Sequence, residues 1–138
     1  MKQILIVEDD SFLNKMLAYN LTADGYEVTS ALNARTATDI LNAHEFDLVL
    51  LDVNLPDGNG YDLCRLIKPE QPDTIVIFLT ANDQESDQIR GYEVGAVDYI
   101  TKPFHPLEVT ARVKSQLRRY LKLGGGVQNS EVYTIGGI

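Results

Sequence analysis

Short apolar runs, separated by helical patterns, constrain the fold of this 138-residue chain more than any other feature. Apolarity within each run is continuous rather than alternating, which is typical of strands that are covered on both faces, as in parallel sheets. A further stretch, Tyr26–Ser30, alternates more and is interpreted as a strand at the sheet edge. The four runs are Ile4–Val7, Asp47–Leu51, Thr74–Leu79 and the weaker Val97–Ile100.

Helical patterns follow each predicted strand. Ser11 is expected to be the N-cap of the first helix, and Pro106 suits the first turn of the last one. Five alternating strands and helices predict an α/β fold, a doubly wound (βα)₅ flavodoxin-like domain with a five-stranded parallel sheet and strand order 2-1-3-4-5. The predicted helices are the stretch between Ser11 and Gly25, Ala34–Ala43, Tyr61–Ile67, Glu85–Val94 and Pro106–Leu121.

The C-terminal segment differs in composition from the rest. Residues 124–138 hold five of the ten glycines and one charged residue, Glu131. We expect residues 1–122 to form one domain and residues 123–138 to be a flexible linker, with a possible strand at 131–135.

Charge and cysteine content exclude several classes of protein. The chain carries 12 Lys and Arg against 20 Asp and Glu, a net charge of −8, which argues against a surface that binds nucleic acid. The single cysteine, Cys64, cannot form an internal disulfide, so a cytoplasmic location is expected. No apolar run reaches the ~18 residues of a membrane-spanning helix.

Polar side chains follow four predicted strands at the point where each strand ends. They are Glu8, Asp9 and Asp10 after the first strand, Asp52 and Asn54 after the third, Thr80 after the fourth and Lys102 after the fifth. Ligands of open α/β sheets bind at the carboxyl ends of the strands. The sequence therefore predicts a site at this edge of the sheet.

The chemistry of these residues suits a metal ion and a phosphoryl group. Asp9 and Asp52, at neighbouring strand ends, would repel each other, and a hard cation such as Mg²⁺ relieves that repulsion. Lys102 would neutralise part of the charge, and the Thr80 hydroxyl would bond a phosphoryl oxygen. Each residue alone is commonly a loop or helix-capping residue, so the prediction depends on their combination.

Other functional classes fit the sequence less well. A calcium loop starting at Asp52 would have Pro56 at its fifth position and Leu63 in place of the bidentate glutamate. A phosphatase with an aspartate nucleophile needs a second aspartate two residues later, where this chain has Asn54. A small Mg²⁺-dependent phosphatase and an interaction module that is never phosphorylated both stay open as alternatives.

Over residues 2–121 the chain resembles a bacterial response-regulator receiver domain of the OmpR/PhoB type. The resemblance is carried by Ile4–Asp10, Leu50–Gly60, Phe78–Ala81 and Gly95–Phe104. It implies a phosphoryl acceptor rather than a conventional enzyme, with self-catalysed phosphoryl transfer from a sensor histidine kinase and slow autodephosphorylation.

The resemblance also implies a role for each site residue. Asp52 would be the phosphoacceptor, and Asp9, Asp52 and the backbone carbonyl of Asn54 would hold Mg²⁺, with Glu8 acting through water. Lys102 would contact the phosphoryl group, and its peptide bond with Pro103 is expected to be cis.

Two further pairs of residues are implied to control the response. Thr80 and Tyr99 would form the switch, in which Thr80 moves toward the phosphoryl group and Tyr99 rotates inward. Asn54 and Asn82 would tune dephosphorylation.

The resemblance implies a homodimer through the fourth helix, the fifth strand and the fifth helix. Asp98 and Arg112 match one ion pair of such dimers, whereas Gln88 and Val97 replace charged residues of two others, with Arg90 as an alternative cation. Exposed ion pairs contribute roughly 0–1 kcal/mol each, so the dimer is expected to be weak. The remaining partners of the incomplete pairs are Glu108 and either Arg118 or Arg119.

Residues 131–138 resemble the opening strand of a winged-helix DNA-binding domain. The resemblance therefore implies a regulatory portion of a longer transcription factor, which would bind DNA only through an effector domain that this chain lacks.

Overall fold

A parallel sheet of five strands organises the molecule. The computed structural model describes residues 1–81 and 98–122, the last three of these by their backbone only. The sheet order is β2-β1-β3-β4-β5, and every neighbouring pair is parallel, which confirms the predicted fold class and strand order. The strands are β1 (Gln3–Val7), β2 (Glu27–Ala31), β3 (Leu48–Asp52), β4 (Ile75–Thr80) and β5 (Asp98–Thr101).

Four helices lie within the described ranges. They are α1 (Ser11–Ala23), α2 (Ala34–Ala43), α3 (Gly60–Glu70) and α4 (Pro106–Lys122). The helix expected at 85–94 and the linker expected at 123–138 lie outside those ranges.

The N-cap of α1 differs from the sequence-based expectation. Asp10, not Ser11, caps the helix: its carboxylate accepts hydrogen bonds from the backbone N–H groups of Phe12 and Leu13, both at 3.1 Å. Asp10 has extended backbone angles, whereas Ser11 is the first helical residue. Both residue types are good N-caps, so the sequence alone did not distinguish them.

The segment between β3 and α3 forms a small antiparallel hairpin, which the sequence did not predict. Asn54–Leu55 pairs with Gly58–Asn59. The Asp57 carboxylate, within this turn, accepts hydrogen bonds from the N–H groups of Ala34 at 2.7 Å and Arg35 at 3.0 Å. These bonds lower the pKa of Asp57 and attach the segment after β3 to the start of α2.

Alternate residues of each strand face two separate apolar clusters. One cluster, with Leu5, Val49 and Phe78, packs against α2 and α3, and the other, with Ile6 and Leu50, packs against α1 and α4. Because both faces are covered, the central strands β1, β3 and β4 are almost wholly apolar, which accounts for the continuous runs in the sequence. Within the described ranges, none of the helices combines the length and apolarity needed to cross a membrane.

Candidate functional site

Three carboxylates meet at the carboxyl edge of the sheet. Glu8 and Asp9 follow β1, and Asp52 ends the neighbouring strand β3. One oxygen from each of the three lies within 4.8 Å of the others. Glu8 and Asp52 are buried and Asp9 is exposed, so the cluster opens to solvent on the Asp9 side.

Lys102 brings a positive charge into this cluster from the end of β5. Its Nζ lies 2.6 Å from Glu8 Oε1 and 3.2 Å from Asp52 Oδ2. Its backbone N–H donates to the Thr80 carbonyl at 2.7 Å, which fixes the start of the loop after β5. The Lys102–Pro103 peptide bond is cis, the isomer that the resemblance implies.

Burial shifts the protonation equilibria of this group of residues. It raises the pKa of Glu8 to about 7, although Lys102 opposes the shift, and the nearby Asp52 adds to it. Burial also raises the pKa of Asp52, again against the effect of Lys102. Burial alone would lower the pKa of Lys102, but its bond to Glu8 and the Asp52 charge raise it. Burial thus disfavours the ionised forms of Glu8 and Asp52, and Lys102 offsets this effect only in part.

The donor set fits a magnesium ion. Three carboxylates supply hard oxygen ligands, and too few of them to replace the whole hydration shell, which is the arrangement that Mg²⁺ accepts. Asp52 Oδ1 accepts a hydrogen bond from the Asn54 N–H at 3.1 Å, which holds the backbone of Asn54 beside the cluster. The backbone N–H of Asn54 is therefore close to the acids that its carbonyl is expected to assist.

The two expected switch residues lie on neighbouring strands. Thr80 is fully buried at the end of β4, and Tyr99 in β5 is 8% exposed. The Tyr99 ring packs against Phe78 with centroids 5.5 Å apart, and its hydroxyl donates to the hydroxyl of Tyr61 at 3.1 Å. Tyr99 thus points into the domain in this structure.

Two residues that the sequence reasoning missed support the acidic cluster. The buried amide of Asn14 donates to the carbonyls of Glu8 at 3.0 Å and Ala31 at 3.1 Å. Gly60 begins α3 so close to β3 that a Cβ atom there would lie 2.4 Å from the Asp52 carbonyl oxygen. The sequence signal for Asn14 was a polar residue on the apolar side of α1. The signal for Gly60 was a glycine at the first position of a helix.

Arg112 contacts two other residues of the expected dimer face, Asp98 and Glu108, within the same chain. Arg112 Nη1 lies 2.9 Å from Asp98 Oδ1 and donates to the Tyr99 carbonyl at 3.1 Å. Arg112 Nη2 lies 3.5 Å from Glu108 Oε2. Arg119 is exposed near the end of α4. Gln88, Arg90 and Asn82 lie outside the described residues.

Comparison with known proteins identifies the family. Residues 4–114 match the family model described as the response regulator receiver domain. The BeF₃-activated receiver domain of DrrB is 42% identical, with a TM-score of 0.78 over 86% of this chain and 99% of that one. The non-phosphorylated HemR receiver domain from Leptospira biflexa is 35% identical, with a TM-score of 0.82 over 96% and 100%.

One similar structure is that of a longer protein, of which this chain covers about half. DrrB of Thermotoga maritima, described as an OmpR/PhoB homologue, is 42% identical with a TM-score of 0.78 over 86% of this chain, which covers 54% of the length of DrrB. The family match spans most of the chain. It includes four strands of the sheet in full and all of β1 except Gln3, together with the acids and the lysine at the carboxyl ends of the strands. The chain therefore belongs to the response regulator receiver domain family, the phosphoacceptor domains of two-component signalling.

Proposed function

We propose that Asp52 is the residue that accepts the phosphoryl group, from a sensor histidine kinase and with Mg²⁺ bound. One observation carries the proposal: the buried Asp52 carboxylate lies within 4.8 Å of carboxylate oxygens of Glu8 and Asp9, and 3.2 Å from the ammonium group of Lys102. Asp9, Asp52 and the carbonyl of Asn54 would hold the ion, and Glu8 would act on it through water. Bound Mg²⁺ would offset the charge of the phosphoryl oxygens and of the acids.

The side chains of the site have separate tasks in the transfer. An Asp52 oxygen attacks phosphorus, the bond from phosphorus to the donor breaks, and an acyl phosphate forms on Asp52. Lys102 is close enough to Asp52 to pair with the incoming oxygens instead of Glu8. The domain thus supplies positioning and charge for its own modification and is not a conventional enzyme.

We propose that phosphorylation is transmitted through Thr80 and Tyr99. The Thr80 hydroxyl would bond a phosphoryl oxygen, and Tyr99 would hold the inward position beside Phe78 that the structure shows. Asn54, in the segment after β3, and Asn82 would tune the loss of the phosphoryl group.

The partners and output are proposed from the resemblance and from the longer relative. A weak homodimer would form through Gln88, Arg90, Asp98, Glu108, Arg112 and Arg119. Because Asp98 and Arg112 pair within one chain, this dimer would exchange an internal ion pair for one between subunits. We further propose a cytoplasmic receiver domain at 1–122 and a linker at 123–138, leading to a DNA-binding effector domain that these residues do not include.

Phosphoryl uptake tests the proposed function. With Mg²⁺ and acetyl phosphate, the protein is expected to gain about one phosphoryl group per chain and to lose it slowly. Turnover of many equivalents would instead indicate a phosphatase. If neither uptake nor NMR shifts around Thr80 and Tyr99 on adding BeF₃⁻ with Mg²⁺ were seen, the domain would be an interaction module.

Asp9→Asn is expected to weaken Mg²⁺ binding by about tenfold or more, because it removes an ionised ligand. Asp10→Asn is the matched control, since Asp10 is the adjacent acid but caps α1, and asparagine caps equally well. Titration of both variants with Mg²⁺, followed by NMR, measures the difference. Equal affinities in the two variants would show that Asp9 is not a ligand.

A further inference from the structure

Three aromatic rings from separate elements pack together inside the domain. Tyr61 and Phe78 have centroids 4.9 Å apart in an edge-to-face arrangement, and Phe78 and Tyr99 have centroids 5.5 Å apart. All three side chains are buried. Tyr61 belongs to α3, Phe78 to β4 and Tyr99 to β5, so the rings connect a helix with two neighbouring strands of the sheet.

The two tyrosine hydroxyls meet in this interior. The Tyr99 hydroxyl donates to the Tyr61 hydroxyl at 3.1 Å, and the bond is buried. A phenolic hydroxyl that enters an apolar interior loses its hydration and therefore depends on hydrogen bonds there. Tyr61 consequently stabilises the inward position of Tyr99 in a way that a phenylalanine ring of the same shape would not.

The position of Tyr61 links this hydrogen bond to the site. Tyr61 is the second residue of α3, and its N–H donates to Asn59 Oδ1 at 2.7 Å. The preceding residue, Gly60, packs against the Asp52 carbonyl and donates to the Val53 carbonyl at 2.7 Å. Tyr61, whose hydroxyl accepts the hydrogen bond from Tyr99, thus belongs to the segment that directly follows the proposed phosphoacceptor Asp52.

We propose that Tyr61 is a positioning residue that acts through Tyr99 and populates the inward state before phosphorylation. This inference rests on the proposed Thr80 and Tyr99 switch. If the phosphorylated state requires inward Tyr99, the affinity for a phosphoryl group or its mimic rises in proportion to the fraction of molecules in which Tyr99 is already inward. The inward rotation of Tyr99, which is one part of the conformational change, has then already occurred in the unmodified domain.

Tyr61→Phe tests the proposal with little change in shape. Loss of one buried hydrogen bond is expected to lower the affinity for BeF₃⁻ with Mg²⁺ by roughly three- to tenfold. NMR contacts between the Tyr99 and Phe78 rings, recorded without BeF₃⁻, are expected to weaken in the same variant. Tyr19→Phe is the control, because Tyr19 is 76% exposed on α1.

A double-mutant cycle separates positioning from general packing. In a Tyr99→Phe background the shared hydrogen bond is already gone, so Tyr61→Phe is expected to lower the BeF₃⁻ affinity by a clearly smaller factor than it does in the wild-type background. An equal loss in both backgrounds would overturn the proposal, as would an unchanged affinity in the single variant. If the wild type bound no BeF₃⁻ with Mg²⁺, the proposed function itself would fail, and that outcome is distinct from the other two.

Discussion

Asp52→Asn is expected to reduce phosphoryl uptake from acetyl phosphate to background, because the carboxylate that would form the acyl phosphate is gone. The fold should survive, since an amide oxygen can still accept the Asn54 N–H bond that Asp52 Oδ1 accepts. Radiolabel incorporation or intact mass measures the uptake. Asp10→Asn is the control and is expected to take up the phosphoryl group as the wild type does.

The same variant is expected to be at least as stable as the wild type without Mg²⁺. The pKa of Asp52 is raised in the folded domain, so its ionised form opposes folding at any pH above its ordinary pKa. Removing that charge removes this destabilisation near neutral pH. Full phosphoryl uptake by Asp52→Asn would contradict the role assigned to Asp52. A lower free energy of unfolding than that of the wild type, measured by urea denaturation without Mg²⁺, would contradict the expected stability.

Gly60→Ala is expected to be among the most damaging single substitutions in the described part of the chain. The added Cβ would lie 2.4 Å from the Asp52 carbonyl oxygen and 3.0 Å from Val53 Cα, and backbone atoms cannot move aside as a flexible side chain can. Overpacking of this kind typically lowers the free energy of unfolding by about 1–3 kcal/mol, and we expect the upper end of that range. Urea denaturation measures the loss.

Gly58→Ala is the matched control for this prediction. Gly58 lies two residues earlier, and an added Cβ would be 3.4 Å from the Ala34 Cβ, a tight but tolerable contact. Its free energy of unfolding is expected to change far less. If both variants were equally stable, the close approach of α3 to β3 would not be a constraint on this domain.

The fold and the composition of the site could be predicted from the sequence for a simple physical reason. Strands buried on both faces are apolar throughout, and parallel strands end at one edge of the sheet, so the residues after each strand necessarily meet. Asp9, Asp52 and Lys102 could therefore be grouped without knowing any distance. The sequence also contained enough of the family motif to indicate the phosphoacceptor chemistry.

The contacts that support the site could not be predicted, because they join segments that no local pattern relates. Asp57 reaches the N–H group of Ala34 from 23 positions away, and Tyr99 reaches Tyr61 from 38 positions away. Each depends on how far a side chain extends once two elements have packed. Asn14 is similar, since only the packed structure shows that its amide donates hydrogen bonds to the carbonyls of Glu8 and Ala31.

The central claim is that Asp52 carries the phosphoryl group, and chemical trapping tests it most directly. The wild-type protein is incubated with Mg²⁺ and acetyl phosphate and then reduced with sodium borohydride, which converts an aspartyl phosphate to homoserine. Peptide mass spectrometry is expected to find homoserine at position 52, and only in the sample that received acetyl phosphate. Homoserine at position 9 or 10, or modification of another residue type with position 52 unchanged, would contradict the claim.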